Sequence, residues 1–183
     1  MDVLQLKITL LEIEPKIYRI VQVPASINLR DLHSVIQAVM EWEGYHSYQF
    51  IKGHEHFGPK PLALDLPVMQ NDDTVRLADL LKEPRQKLLY EYDFGDGWLH
   101  EVLLQKQLPP EEGVRYPICL EGKGAGPPED SGGAMGYCNL LQALEDPNHE
   151  LYQDARNWLG ADYDPRLLDL SEVNPRLRQL KIR

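Results

Sequence analysis

Residues 88–104 read LLYEYDFGDGWLHEVLL, two runs rich in aromatic and branched residues on either side of Gly95-Asp96-Gly97. Such runs favour extended backbone, and an Asp-Gly pair between them supplies the positive φ that a tight hairpin turn needs. With Asp96-Gly97 as a two-residue turn, Gly95 pairs with Trp98, Phe94 with Leu99, Asp93 with His100 and Tyr92 with Glu101. Asp93 and His100 then stand side by side on one face, while Tyr90, Tyr92, Phe94, Leu99 and Leu103 pack toward a core on the other. A three-residue turn pairs Phe94 with Trp98 instead and parts Asp93 from His100.

Outward from this hairpin, the N-terminal stretch supplies a second one. Residues 3–13 and 17–23 read as strands joined at Glu14-Pro15, where the apolar alternation stops and proline cannot donate to a ladder. Asn28 then reads as a helix N-cap with Asp31 three residues on, and Leu29, Leu32, Ile36, Val39 and Met40 recur at helical spacing as far as Trp42. Residues 46–51 suggest a further strand. Residues 53–73, broken by proline and glycine, read as a long loop, after which Thr74 caps a short helix carrying Leu77, Leu80 and Leu81. The Pro- and Gly-rich stretch from Pro109 to Gly136 reads as loop throughout. Helical periodicity returns at Tyr137, Leu140, Leu141 and Leu144, again through Leu151, Trp158 and Leu159, and last over Ser171 to Leu180. The predicted fold is α+β over a single domain, 1–183. It has a mainly antiparallel sheet built from two β-hairpins and a further strand, packed against an N-terminal helix and a C-terminal helical group.

Composition bounds the function. At 183 residues and 43% hydrophobic content the chain can bury an ordinary core without staples. Cys119 and Cys138 match no zinc or thioredoxin spacing and read as reduced, buried thiols. Nineteen basic against 29 acidic residues give a net charge of -10, which repels nucleic-acid duplexes and anionic membrane surfaces on average. The tail RLRQLKIR is a local exception, a positive cluster of Arg176, Arg178, Lys181 and Arg183 that suits a helix C-terminus or, as a third functional reading, nucleic-acid contact. The N-terminus places Asp2, Lys7 and Glu12 among its hydrophobes, unlike a signal peptide, and no run is long enough to span a membrane, so a cytoplasmic location is expected.

Two stretches carry chemistry. On the hairpin, Asp93, Asp96, Trp98 and His100 combine carboxylates, an indole and an imidazole. A carboxylate beside an imidazole fixes its orientation and suits acid-base work, metal ligation or a plain cross-strand ion pair. In EGKGAGPPEDSGGAMGY, 121–137, Pro127 and Pro128 stiffen a loop that presents Glu129 and Asp130 ahead of Gly132, Gly133 and the start of a helix near Tyr137. Adjacent carboxylates in a held loop could coordinate a hard cation, the glycine amides could meet an anion, or Glu129 and Asp130 could simply cap or pair. Asp93, His100, Glu129 and Asp130 form the candidate divalent-metal set, with His33 and His46 as secondary candidates. His54 and His56 hold a metal only if their loop is ordered. The Walker, zincin, nucleophile-elbow and dinucleotide-binding patterns are absent, so the leading expectation is an interaction or ligand-binding module for a protein or small-molecule partner. A metal-dependent hydrolase with a metal-bound water as nucleophile is the alternative.

The segments LKITLLEIEPKIYRIVQVP, LRDLHSVIQAVMEW, YEYDFGDGWLHEV and CLEGKGAGPPEDSGGAMGY, in that order, resemble the plasmid pRiA4b ORF-3-like family over nearly the whole chain. The resemblance implies a cytoplasmic protein of plasmids and bacterial or archaeal chromosomes, sometimes encoded near mobile elements, with no established biochemical activity. Its motif positions fall on His33, His46, Asp93, Gly95, Asp96, Gly97, Trp98, His100, Pro127, Pro128, Glu129, Asp130, Gly132, Gly133, Gly136 and Tyr137. Tyr18 departs from the pattern, in which a tryptophan often precedes the arginine at Arg19.

Overall fold

A computed structural model describes residues 2–59, 69–160 and 162–182. Among these, eight strands form one sheet: β1 (Val3–Leu10), β2 (Tyr18–Pro24), β3 (Tyr48–Lys52), β4 (Glu55–Gly58), β5 (Gln70–Asn71), β6 (Lys87–Tyr92), β7 (Trp98–Leu108) and β8 (Ile118–Lys123). The order across the sheet is β5-β4-β3-β6-β7-β1-β2-β8, antiparallel throughout except for the short β4–β5 pair. Five helices complete the α+β fold: α1 (Leu29–Met40), α2 (Leu77–Leu80), α3 (Gly133–Glu145), α4 (Tyr152–Leu159) and α5 (Leu170–Gln179). None is long and apolar enough to cross a membrane.

Strand alternation decides the two faces of the sheet. Leu4, Leu6, Ile8 and Leu10 of β1, Leu88, Tyr90 and Tyr92 of β6, and Trp98, His100, Val102 and Leu104 of β7 are all buried against the core. The stripe Leu32, Val35, Ile36 and Val39 of α1 joins them there. Each such aliphatic side chain contributes about 1.5–3 kcal/mol through burial. The opposite face is polar: Gln22, Gln5 and Gln105 hydrogen-bond in a row, Gln49 donates to Glu91, and Lys87 pairs with Glu101.

Helix α1 starts where Asn28 Oδ1 accepts the Asp31 amide at 2.7 Å, which satisfies one of the four unpaired N–H groups of a helix start. Its other end is held by a buried cation. Arg19 has no solvent exposure, and its Nε donates to the Val39 carbonyl at 2.8 Å while Nη1 donates to the Tyr18 and Lys123 carbonyls at 2.9 and 3.1 Å. One side chain thereby joins β2, β8 and the last turn of α1. Burial lowers the Arg19 pKa, opposed by the nearby Cys119 and Glu41. Asn174 of α5 exchanges two hydrogen bonds with the backbone of Cys119 and so seats the C-terminal helix on β8. Both cysteines are free, and burial pushes the Cys119 thiol up to about 11.

Three expectations from the sequence are corrected. Residues 53–73 are not all loop: Lys52 pairs with Glu55 across a turn in which Gly53 has φ 61°, and β4 continues the sheet before Gly58. The exposed Glu55 and His56 hid this short strand from a reading based on apolar alternation. Residues 60–68 of that stretch lie outside the described residues. The 109–136 stretch contains β8, which is paired with β2 although only Cys119 of its six residues is fully buried. Thr74 does not cap α2; its hydroxyl donates to the Asn71 carbonyl, and the N-cap is Arg76 with no side-chain hydrogen bond.

Replacing Arg19 with alanine takes the guanidinium from one buried and two part-buried carbonyls and opens a cavity between α1 and the sheet, for an expected loss of roughly 2–4 kcal/mol. Urea unfolding of Arg19→Ala against the parent chain measures this. A change in midpoint of ordinary surface size would show that the guanidinium is not holding the helix end.

Candidate functional site

The hairpin between β6 and β7 turns earlier than its Asp-Gly pair suggests. The last paired residues are Tyr92 and Trp98, so Asp93–Gly97 forms a five-residue loop. Asp93 makes this loop by itself: its backbone is left-handed at φ 58°, and its Oδ1 accepts the amides of Gly95 and Asp96 at 2.9 and 3.4 Å. The Gly97 amide closes onto the Asp93 carbonyl at 2.6 Å. A carboxylate that binds the backbone two residues ahead competes with strand pairing, and here it wins.

The expected facing pair of Asp93 and His100 is therefore wrong, as are both turn lengths considered for it. His100 lies opposite Tyr90 on the core face. Leu99 and Leu103 lie on the other face, and Phe94 is in the loop, half exposed. His100 is fully buried, with Nδ1 3.2 Å from the Trp98 carbonyl and its ring edge-on to Trp42. Burial depresses its pKa to about 4. His33 is also packed into the aromatic layer, stacked on Tyr48 at 3.6 Å with Nδ1 2.7 Å from the Tyr90 hydroxyl. Burial, with Arg30 nearby, depresses its pKa to about 3. Beside it the Tyr48 hydroxyl bonds Asp72, which Arg30 also contacts at 3.1 Å.

Three other segments meet above this layer. The first follows α1, where Glu41 takes a left-handed conformation, φ 63°, and turns Trp42 inward over Tyr92. Trp42 Nε1 donates to the Pro127 carbonyl at 2.6 Å, which fixes the second segment, the Pro127–Asp130 loop. That loop has no room to drift, because a Cβ on Gly126 would lie 2.0 Å from the Met40 carbonyl oxygen. The third segment is the hairpin loop: Asp96 Oδ2 accepts the Gly132 amide at 3.1 Å, and a Cβ on Gly133 would lie 2.1 Å from the Asp96 carbonyl oxygen. Gly132 and Gly133 thus serve close packing between loop and hairpin, and Trp98 serves the aromatic core.

At this junction His46 lies between two carboxylates. Its Nδ1 is 3.5 Å from Asp93 Oδ2, and its Nε2 is 3.2 Å from Asp130 Oδ1 without a hydrogen bond to it. Among the described residues, His46, Asp93 and Asp130 bring one imidazole nitrogen and two carboxylate oxygens within 4.8 Å of one another. Asp130, like Asp93, is a non-glycine residue with left-handed backbone, φ 59°. The Tyr45 hydroxyl donates to Asp130 Oδ2 at 3.2 Å. Glu129 is next to this group but committed elsewhere, accepting the Tyr92 hydroxyl on one oxygen and the Glu43 amide at 2.8 Å on the other. Burial and the Glu129 contact both raise the Tyr92 hydroxyl pKa.

Of the four residues expected to form a metal set, the structure joins Asp93 and Asp130, places Glu129 beside them and puts His100 in the core. His46, a secondary candidate, is the link. Tyr137 points away from the junction and is buried, its hydroxyl 2.6 Å from that of Tyr163. Sequence reasoning missed Tyr45, Tyr92 and the Glu43 amide, and the available signal was the Glu-Gly-Tyr-His turn directly after α1. Tyr45 and Phe94, 63% and 49% exposed, belong to two of these segments, so aromatic side chains adjoin the charged centre in the chain.

Fold and junction together define a class: an α+β module that holds an imidazole-carboxylate cluster where three loops meet over an aromatic layer. The chain belongs to the plasmid pRiA4b ORF-3-like protein family, whose family model matches residues 2–172. It is 38% identical over 176 residues to the uncharacterized protein y4hQ of Sinorhizobium fredii, covering 94% of this chain and 89% of that protein. It is similar also to a crystal structure of a protein of unknown function, MM3350, from Methanosarcina mazei Go1. That similarity has a TM-score of 0.86 at 40% identity and covers 94% of this chain and 98% of the other.

The depressed histidines set an acid limit on the fold. His33 and His100 are neutral when folded until about pH 3 and 4, whereas an unfolded imidazole takes up its proton near 6.5. Below about 6.5 the unfolded chain binds more protons, so stability falls as pH drops from there toward 4. Urea unfolding between pH 7 and 4.5 should show this slope and a shallower one in His33→Gln. Equal slopes would place His33 outside the titration.

Proposed function

We propose that this protein is a ligand-binding module whose junction of loops takes a divalent cation through His46, Asp93 and Asp130. The observation that supports the reading is the meeting of one imidazole and two carboxylates from three separate segments within 4.8 Å. Two carboxylates and one imidazole form a mixed oxygen-nitrogen donor set of the kind that suits manganese, iron or zinc. A divalent charge neutralises both aspartates, and the Asx turn and the Tyr45 hydroxyl orient them as outer partners do at metal sites.

Metal-dependent hydrolysis is the second reading, favoured by the exposure of Asp130, whose side chain is 54% accessible. Three protein ligands leave coordination positions for a water, and a metal lowers the pKa of a bound water enough to make it a nucleophile. Glu129 could position that water only by giving up the Tyr92 hydroxyl or the Glu43 amide. Tyr45 and Phe94 would meet the apolar part of a ligand or partner in either case.

Calorimetric titration of chelator-treated protein with Mn2+ and Zn2+ should give one saturable site and a raised melting temperature. Asp93→Asn and Asp130→Asn should each weaken binding by about tenfold or more, in the range expected for loss of a charged ligand. Unchanged melting with both cations would refute the cation site. Turnover of a chromogenic phosphate ester by loaded parent protein, lost in Asp130→Asn, would select the hydrolytic reading.

A further inference from the structure

A second site lies away from the three-loop junction. Helices α3 and α4, the chain at 163–166 and the turn between β1 and β2 enclose a cleft of about 640 Å³. This falls in the size range of small-molecule sites. Ile13, Ile17, Leu141 and Leu144 give the cleft aliphatic walls. Tyr137 and Tyr163 also line it, and their hydroxyls satisfy each other at 2.6 Å. Such walls favour an apolar body.

The charges around the cleft are unevenly committed. Arg166 lines the rim with a side chain 83% exposed, and its guanidinium is bound to Asp164 at 3.0 Å. Glu145 is also at the rim and exposed. Arg156 is half-buried on α4 and, among the described residues, has no carboxylate partner. A guanidinium with no carboxylate partner beside aliphatic walls recognises a carboxylate in bidentate fashion, with more directional hydrogen bonding than a lysine could supply.

We infer that this cleft binds a hydrophobic monocarboxylic acid, with its carboxylate on Arg156 and its apolar body against Ile13, Ile17, Leu141 and Leu144. A neutral hydrophobe would leave Arg156 uncompensated, whereas the rim carboxylate of Glu145 is exposed and keeps its charge in solvent. The site shares no ligating residue with the His46 cluster, so the two readings stand or fall separately.

The test uses the full chain with decanoate and 1-decanol as probes, below their aggregation limits. Calorimetry should give one decanoate per chain. Arg156→Gln should weaken decanoate by about tenfold, the loss expected on removing a charge-assisted hydrogen-bond pair, and leave decanol nearly unchanged. Arg156→Lys should retain part of the affinity, and Leu141→Trp should block both probes while circular dichroism stays that of the parent. Asp93→Asn should bind decanoate as the parent does, which separates this site from the cation site. Non-saturating decanoate binding, or equal affinity in the parent and Arg156→Gln, would overturn the inference.

Discussion

A guanidinium removed from water needs fixed acceptors, and the Arg19 side chain finds them for Nε and Nη1 on the carbonyls of Val39, Tyr18 and Lys123, leaving Nη2 buried without a partner among the described residues. The first closes the C-terminal turn of α1, where backbone carbonyls have no partner within the helix. The others belong to β2 and β8. This interaction fixes where α1 stops relative to the sheet edge, and that position is inherited by everything after Met40. Glu41 reverses the chain, Trp42 drops onto Tyr92, and its indole N–H reaches the Pro127 carbonyl. The loop bearing Glu129 and Asp130 is thus positioned from a strand more than a hundred residues earlier in the chain.

Beneath the junction, the core is more polar than its burial suggests. His33, Tyr48, Tyr90 and Gln37 exchange hydrogen bonds and ring contacts within an otherwise apolar layer, and Asp72 is buried with Tyr48 and Arg30 on its two oxygens. Pairing offsets the desolvation of such groups and confines each paired ring to one orientation, although Gln37 Oε1 is buried without a partner among the described residues. The result is a rigid floor. Tyr92 carries that rigidity upward, since its ring belongs to the core while its hydroxyl accepts the His46 amide and donates to Glu129.

What could be read from the sequence follows from range. The α+β class and the largely antiparallel sheet were legible because they rest on local alternation, as in Val3–Leu10, and on helical spacing, as in Leu29–Met40. The helix start at Asn28 was legible for the same reason, since a cap bond spans three residues. The short outer strands were not: β4 and β8 carry few buried side chains and are held by backbone pairing, β4 to β3 and β5 and β8 to the distant β2. The register of the β6–β7 hairpin failed on a competition that composition cannot rank, Asp93 binding its own loop amides against Asp96-Gly97 forming the turn. In the candidate site, Asp93, Glu129 and Asp130 announced themselves by residue type. The role of His46 rather than His100 did not, because strand register alone decides which imidazole meets solvent and which meets Trp42.

The two left-handed aspartates separate what the fold needs from what it does not. A left-handed backbone costs an L-residue on the order of 1 kcal/mol that glycine would not incur, so a side chain kept there has to repay it. At Asp93 the repayment is local, because its Oδ1 builds the hairpin loop through Gly95 and Asp96. At Asp130 the return is different: among the described residues its carboxylate contacts the Tyr45 hydroxyl and His46, and neither holds the loop to the core. That loop is already fixed by Trp42 on Pro127, by Glu129 on Tyr92 and by Ser131 on the Pro128 carbonyl. Removing the Asp130 carboxylate would leave those anchors intact and relieve the crowding of like charge around His46. The Asp130 carboxylate thus adds charge beside Asp93 and His46 at a point where the loop is already anchored without it.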